Sequence, residues 1–440
     1  MRRIVLFVVA AVAALAVSGA AGSVSGGWTL RELDPVRGRV GVAMAVNASG
    51  VVVGAHASGR VSGGGDCYVG FLWRPGGTKL KQIGPSKCFG DMWSTSAALD
   101  VTPGGRVLGE VFCSGCSGGT ATYWVWPAAA NPTPGADSEW AWNPAPAAGP
   151  SRTCSLTPAR STRCLPFRGL PAVTGARIEE MGCGGQNLNG LGLNDHVDVI
   201  AYLDWCQDAG TGEIYGPDSY YLAGPDGLVN FGFRGTAVIA ALNAWGHVAG
   251  GIGVPHGWHA FLWDGRRIVD LGTLGGQKSQ AVALNDHSQV AGWSTTRSGK
   301  RHGFLWAGGR MTDIGAVVPL AVNAQGAVLS TRTEGKRLHA FLWHDGRTAD
   351  VGYWRTPSAG NAHILGAGRR ALALDDAGRV AGTDGQGHAA VWEQGHTTRL
   401  PEPPGATASA AVDIDVRGGI AGWIRNERGQ LRAVLWGKRS

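Results

Sequence analysis

Four short phrases recur along this chain in a fixed order, and that order constrains the fold more than any other feature. The first phrase is small or apolar and ends in Asn or Asp: "AMAVN" to Asn47, "SAALD" to Asp100, "GLGLN" to Asn194 and "IAALN" to Asn243. It continues as "AVALN" to Asn285, "PLAVN" to Asn323, "LALD" to Asp375 and "AVDID" to Asp415. The second phrase ends near Gly, as in "VVVGAHA", "QVAGWST" and "GIAGWIR". The third is aromatic: "VGFLW" to Trp73, "TYWVW" to Trp126, "SYYL" to Leu222, "HAFLW" to Trp263 and "HGFLW" to Trp306. It returns as "HAFLW" to Trp343, "HAAVW" to Trp392 and "RAVLW" to Trp436. The fourth is "KLKQIG" to Gly84, "RIVDLG" to Gly272, "MTDIG" to Gly315 and "TADVG" to Gly352, with weaker copies elsewhere.

Each phrase has strand length and, in many copies, the two-residue alternation of a strand. Between phrases one and two stands Asn-x-x-Gly, as in "NASG", "NAWG" and "NAQG", the signature of a type I turn. Between phrases three and four stand pairs such as Asp264–Gly265, a hairpin signal. The spacing therefore predicts all-β units of four antiparallel strands, about 40–50 residues each, the period of a propeller blade. Phrases one to three occur eight times, and the chain stops at Ser440 after the eighth aromatic phrase. The missing fourth phrase matches "GWTLRELDP", 27–35, at the other end. A ring can close by pairing its first strand with its last blade, which leaves no long open edge. The expectation is one β-propeller domain over 27–440, with 27–35 as the closing strand. Eight blades are favoured; seven stays open, because the copy at 187–232 has Leu222 where Trp is expected.

The N-terminus reads "MRRIVLFVVAAVAALAVSGAAGS": two arginines, an apolar run, then small residues. This is the pattern of a secretory signal peptide, placed at 1–21, and its removal would bring the formal charge from +7 to +5. The apolar run is short for a membrane span, so no span is expected in the mature chain. So mild a charge does not point to nucleic acid. The eight cysteines, Cys67, Cys88, Cys113, Cys116, Cys154, Cys164, Cys183 and Cys206, fit disulfides in an exported protein. Their pairing is not fixed by sequence; neighbours (67–88, 113–116, 154–164, 183–206) are the simplest scheme. Two stretches break the repeat: the Pro- and Ala-rich 127–176 and the segment 201–217.

At "HAFLW…DLGTLGG…A…LN…VAGWS" the chain resembles the HAF family of extracellular repeat proteins. The match is close at 259–294, good over 237–352, recognisable at 41–84 and 371–436, and poor over 127–236. The resemblance implies an exported repeat protein and brings no catalytic residue with it.

The repeated histidines, His259, His302, His339 and His388, begin the aromatic phrase. Alternate residues of a strand share a face, which places His259 with Phe261 and the packing residue Trp263; Trp306, Trp343 and Trp392 hold the same place in their copies. A polar residue of phrase four, Asp270, Asp313 or Asp350, is the expected partner of its histidine. Metal ligands must converge on one ion, whereas equivalent positions of different blades spread around a ring, so no metal and no cofactor is expected. "CSGC" at 113–116 lacks the second pair that a zinc ribbon requires. The tryptophans left for an exposed surface are Trp93, Trp140, Trp142, Trp205, Trp245, Trp258 and Trp354, with Trp140 and Trp142 the leading candidates for contact with a ligand. With no unique polar cluster in view, the reading is a secreted binding or scaffold module for a glycan, peptide or protein, without a catalytic centre. The alternative is an extracellular hydrolase or lyase with a site built from 127–176 and 201–217.

Overall fold

The computed structural model describes residues 24–34, 40–60, 66–83, 88–113, 121–126, 152–156, 162–166, 188–203, 219–230, 237–356 and 371–438, with short breaks, and two-residue strands at Cys206–Gln207 and Ile214–Tyr215. The described residues are all-β, with no helix among them, and none is long and apolar enough to cross a membrane.

The repeat phrases are the strands. One unit runs Ala237–Leu242, Val248–Val254, Gly257–Trp263, Ile268–Gly272, each strand antiparallel to the one before. The next runs Gly275–Leu284, Val290–Thr296, Arg301–Ala307, Arg310–Gly315 in the same order. The aromatic phrases form the core, with Phe71, Phe261, Phe304 and Trp436 at 0% exposure.

The glycine of phrase two has a local cause. The first strand slips register by one residue, as at Ala43/Ala45 and Ala281/Ala283, and such a bulge bends the strand. A Cβ on Gly54, Gly250, Gly292 or Gly422 would stand 2.0–2.1 Å from a first-strand carbonyl oxygen and 2.7–2.9 Å from the aromatic ring of the third strand. Only glycine lets the backbones approach so closely. The hairpins Asp345–Gly346 and Gly308–Gly309 have both central residues at positive φ (48° and 77°; 55° and 85°), the type I′ geometry that suits twisted strands.

The two ends of the described residues meet. Trp28–Glu32 lies antiparallel to Leu431–Lys438, with Leu30 opposite Trp436. Trp28 is 2% exposed and packs with Trp436, Val391 and Leu400. Leu33 and Ala433 share a further core with Phe71 and Trp73 of the first unit.

The turns after phrase one are joined from unit to unit. The Asn243 side chain uses its oxygen to accept the N–H groups of Trp245 and His247 in its own turn. Its amide nitrogen donates to the Asn285 carbonyl of the following turn, at 3.2 Å. The same amide link runs from Asn47 to Thr102, Asn194 to Asn243, Asn285 to Asn323, and Asn323 to Asp375. Thr102 and the Gly104 N–H donate to Asp195, which joins the second turn to the third. Asp375 has no amide to give, and Arg379 donates to the Val416 carbonyl in its place. The last unit meets the first through a bond between strands, Val46 N–H donating to Asp413 Oδ2 at 2.9 Å. In the second turn Thr102, not the sequence-expected Asp100, closes on the Arg106 carbonyl. Its hydroxyl accepts the Arg106 N–H as an Asn oxygen does elsewhere.

Candidate functional site

The repeated histidines meet carboxylates close to their own strands. His259 Nδ1 lies 3.0 Å from Asp270, and His302 Nδ1 lies 2.8 Å from Asp313. Each aspartate also accepts the N–H of the glycine two residues on, Gly272 or Gly315. His388 turns to Glu402, at 2.9 Å. The rings Trp263 and Trp392 are buried, while Trp306 and Trp343 are half-buried. Repetition makes these pairs part of the building rule of the unit.

His339 is more elaborate. Its Nε2 lies 2.9 Å from Asp350 and its Nδ1 3.3 Å from Glu334. Its ring stacks on Tyr353 at 4.3 Å between centroids, and the Tyr353 hydroxyl donates to Glu334. Burial works to lower the His339 pKa, but the hydrogen bonds and charges of Asp350 and Glu334 outweigh it and raise it above the ordinary value. With both nitrogens facing carboxylates, the charged ring is the form that satisfies the site.

One junction departs from the repeat. In six of the turns after phrase one the fourth position is a glycine at positive φ: Gly50, Gly105, Gly246, Gly326, Gly378 and Gly418. In "NDHS" it is Ser288, with φ at 57°. A non-glycine residue there stores strain, and such strain persists where the surroundings hold it. The turn sets this backbone, with the Ser288 N–H on the Asn285 carbonyl, and the serine side chain meets His247 of the preceding unit, whose Nδ1 lies 2.8 Å from Oγ. Beside the pair, Trp245 is 67% exposed, and its indole N–H donates to the Asp286 carbonyl at 3.0 Å. The Asp286 side chain accepts the Ala244 N–H at 2.9 Å.

This arrangement can do chemistry that the repeated pairs cannot. A hydroxyl hydrogen-bonded to an imidazole is a nucleophile with its base in place. The sequence signal was present: Ser288 stands where six other turns have glycine. It was hidden inside the copy that matches the repeat best.

Of the tryptophans set aside for a surface, Trp245 is exposed, Trp258 is half-buried with its N–H on Gln280, and Trp354 is buried at 1%. Trp354 is core because it packs with Leu372 and Ala390. The side chains of Trp93, Trp140, Trp142 and Trp205 lie outside the described residues, as do those of all eight cysteines and most of 127–176 and 201–217. The backbone places Cys154 directly opposite Cys164 in an antiparallel pair. No group of three or more His, Cys, Asp and Glu that could hold a metal ion occurs among the described residues.

No family model matches the chain, and no curated protein matches it. Solved structures do. An acylaminoacyl peptidase of Pyrococcus horikoshii shares 10% identity over 88% of this chain and 58% of its own, with a TM-score of 0.44. Prolyl endopeptidases share 10% identity over 89% of this chain and 55% of theirs, with a TM-score of 0.47. A puromycin-hydrolyzing peptidase of Mycobacterium tuberculosis shares 14% identity over 89% and 60%, with a TM-score of 0.43. The chain thus spans 55 to 60% of the length of these structures. The sequence reading of a binding or scaffold module without a catalytic centre is corrected here: the three solved structures just described are peptidases by name. That reading rested on the lack of a unique polar cluster, and the junction of His247 and Ser288 is one.

Proposed function

We propose that this protein is a hydrolase built on an eight-bladed β-propeller, with Ser288 as nucleophile and His247 as its base. The observation that carries the activity is the 2.8 Å contact between His247 Nδ1 and the hydroxyl of a serine held at φ 57°. The propeller reading draws on the turn-to-turn hydrogen bonds between successive units, on the strand-to-strand bond of Val46 with Asp413, and on the terminal pairing of Trp28–Glu32 with Leu431–Lys438. In it phrase one lines the axis, phrase four is outermost, and the chain is exported after loss of 1–21.

The chemistry follows from the pair. With the His247 proton on Nε2, Nδ1 is free to accept the Ser288 proton. Oγ then bonds to the carbonyl carbon of the substrate, and the proton passes from His247 to the leaving nitrogen as the C–N bond breaks. Water, deprotonated by the same ring, releases the acyl group and restores the serine. A positioned base of this kind contributes on the order of 10²–10⁴ in rate. Among the described residues no carboxylate meets His247 Nε2, so the unit is a dyad.

Peptides are the substrate class to assay first. The full chain is incubated with a fluorogenic peptide library and, separately, with a fluorophosphonate probe that reacts with activated serines. Labelling at Ser288 and cleavage that both vanish in Ser288→Ala and His247→Ala support the proposal. Labelling or cleavage that survives in Ser288→Ala, or none in the native chain, overturns it.

A further inference from the structure

We propose that Trp245 and Asp286 form a subsite for a basic side chain, arginine or lysine, of the substrate. The proposal rests on the Ser288–His247 reading for the subsite's role in catalysis, not for its existence.

Among the described residues Trp245 is the most exposed large apolar side chain, at 67%, yet it is not loose. Its indole N–H is fixed on the Asp286 carbonyl, and its own backbone N–H is fixed on Asn243 Oδ1, each at 3.0 Å. A single exposed aromatic ring calls for no explanation. A ring that is exposed and also pinned at both ends is a platform whose ordering does not have to be supplied by the ligand. The corresponding turn position carries Ser49, Gly104, His287, Gln325, Ala377 or Arg417 in other units, so the turn itself does not require tryptophan.

The carboxylate alone would mean little. Asp195 and Asp376 also accept backbone N–H groups across a unit junction, from Gly104 and Ala324. Asp286 differs in its neighbour. Its Oδ1 takes the Ala244 N–H, next to the tryptophan, and it stands exposed beside the pinned ring. Its Oδ2 has no partner among the described residues. An indole face attracts a cation through its quadrupole, and a guanidinium both stacks on the ring and forks onto a carboxylate. The chain itself uses the first half of this chemistry where Arg301 lies 3.7 Å from the Trp293 ring centre. A neutral apolar ligand would leave the carboxylate unused, and a sugar would use the ring but gain nothing from its charge.

The test is binding without turnover. Ser288→Ala protein, labelled with nitrogen-15, is titrated with Nα-acetyl-arginine amide and followed at the Trp245 indole N–H signal, assigned by its loss in Trp245→Phe. A saturable shift is expected, weakened at least tenfold in Asp286→Asn and by added salt, and absent with Nα-acetyl-norleucine amide. Asp286→Asn keeps an oxygen for the Ala244 N–H, so it separates charge from folding. Equal response to norleucine amide, an unchanged affinity in Asp286→Asn, or a response to methyl glucoside instead of arginine overturns the subsite. None of these outcomes depends on Ser288 being a nucleophile, which the labelling experiment decides by itself.

Discussion

His247 and Ser288 lie in different repeat units, 2.8 Å apart from ring nitrogen to hydroxyl, across a junction where other units carry glycine. Strain at one residue and a bond to a base in the next unit are two halves of one feature, and they predict a trade of stability against activity. Ser288→Gly removes the strained side chain from a left-handed backbone. It is expected to stabilise the protein by about 1 kcal/mol, the scale of such strain, while hydrolysis is lost. Chemical unfolding and peptide cleavage measured on the same preparation check both halves. A glycine variant that is less stable than the native protein would mean that the hydroxyl contact is structural.

Asn323 tests the circuit of turns away from the site. Its oxygen accepts the Ala327 N–H at 2.8 Å and its amide donates to the Asp375 carbonyl at 3.0 Å, with the residue 6% exposed. Asn323→Ala leaves a buried donor and a buried acceptor without partners, each costing roughly 1–3 kcal/mol. The expected loss is about 3 kcal/mol in urea unfolding. Asn323→Asp should recover the N–H cap but not the link, and fall between the two. Full recovery by aspartate would show that the link to Asp375 contributes nothing.

The strands, the turns and the hairpins were legible because backbone geometry dictates residue type there. Glycine is forced at Gly250 by a carbonyl that a Cβ would overlap, and asparagine at Asn243 by the need for both an acceptor and a donor. Repetition then multiplied each signal. The same repetition concealed the site: His259 and His302 recur at one place of the aromatic phrase, whereas His247 merely opens a copy of phrase two, "HVAGGIG", where Gln289 opens "QVAGWST". Trp245 and Trp354 could not be told apart by sequence: one faces solvent and the other packs with Leu372. Exposure depends on what the next unit brings up against the ring, which no local pattern encodes.

The His339 cluster gives a pH prediction. His339 is raised above 6.5, against the effect of burial, by Asp350 and Glu334. Its contribution is therefore present below pH 6.5 and lost as pH rises through the folded value. Glu334 is lowered from 4.5 by bonds from Tyr353 and His339, and Asp350 is lowered from 3.8 by His339 and the Gly352 N–H despite burial. Their contributions are present above those values and lost as pH falls through the folded ones. The windows overlap between 4.5 and 6.5, where the cluster should stabilise most. His339→Gln should lower stability in that window and change it less at pH 9. An NMR titration placing the native His339 midpoint at or below 6.5 would remove the basis for this expectation.

Terminal closure is tested by the strand Trp28–Glu32. Trp28, 2% exposed, packs with Trp436 and Val391, and its strand supplies the fourth partner of the last unit. Trp28→Ala should cost about 3–5 kcal/mol, the range for emptying a large aromatic site. Deleting 27–35 should cost more, because it strips the backbone pairing from Leu431–Lys438 and uncovers the core around Leu33 and Phe71. If the units close into a ring, the loss should spread beyond the last unit, which also bonds the first through Asp413 and Val46. Hydrogen exchange distinguishes the outcomes: faster exchange in the first and last units, with cooperative melting at a lower temperature, is expected of a closed ring. Exchange that quickens only over 431–438, with an unchanged melting temperature, would mean that the pairing is an appendage and that these two segments do not close a ring.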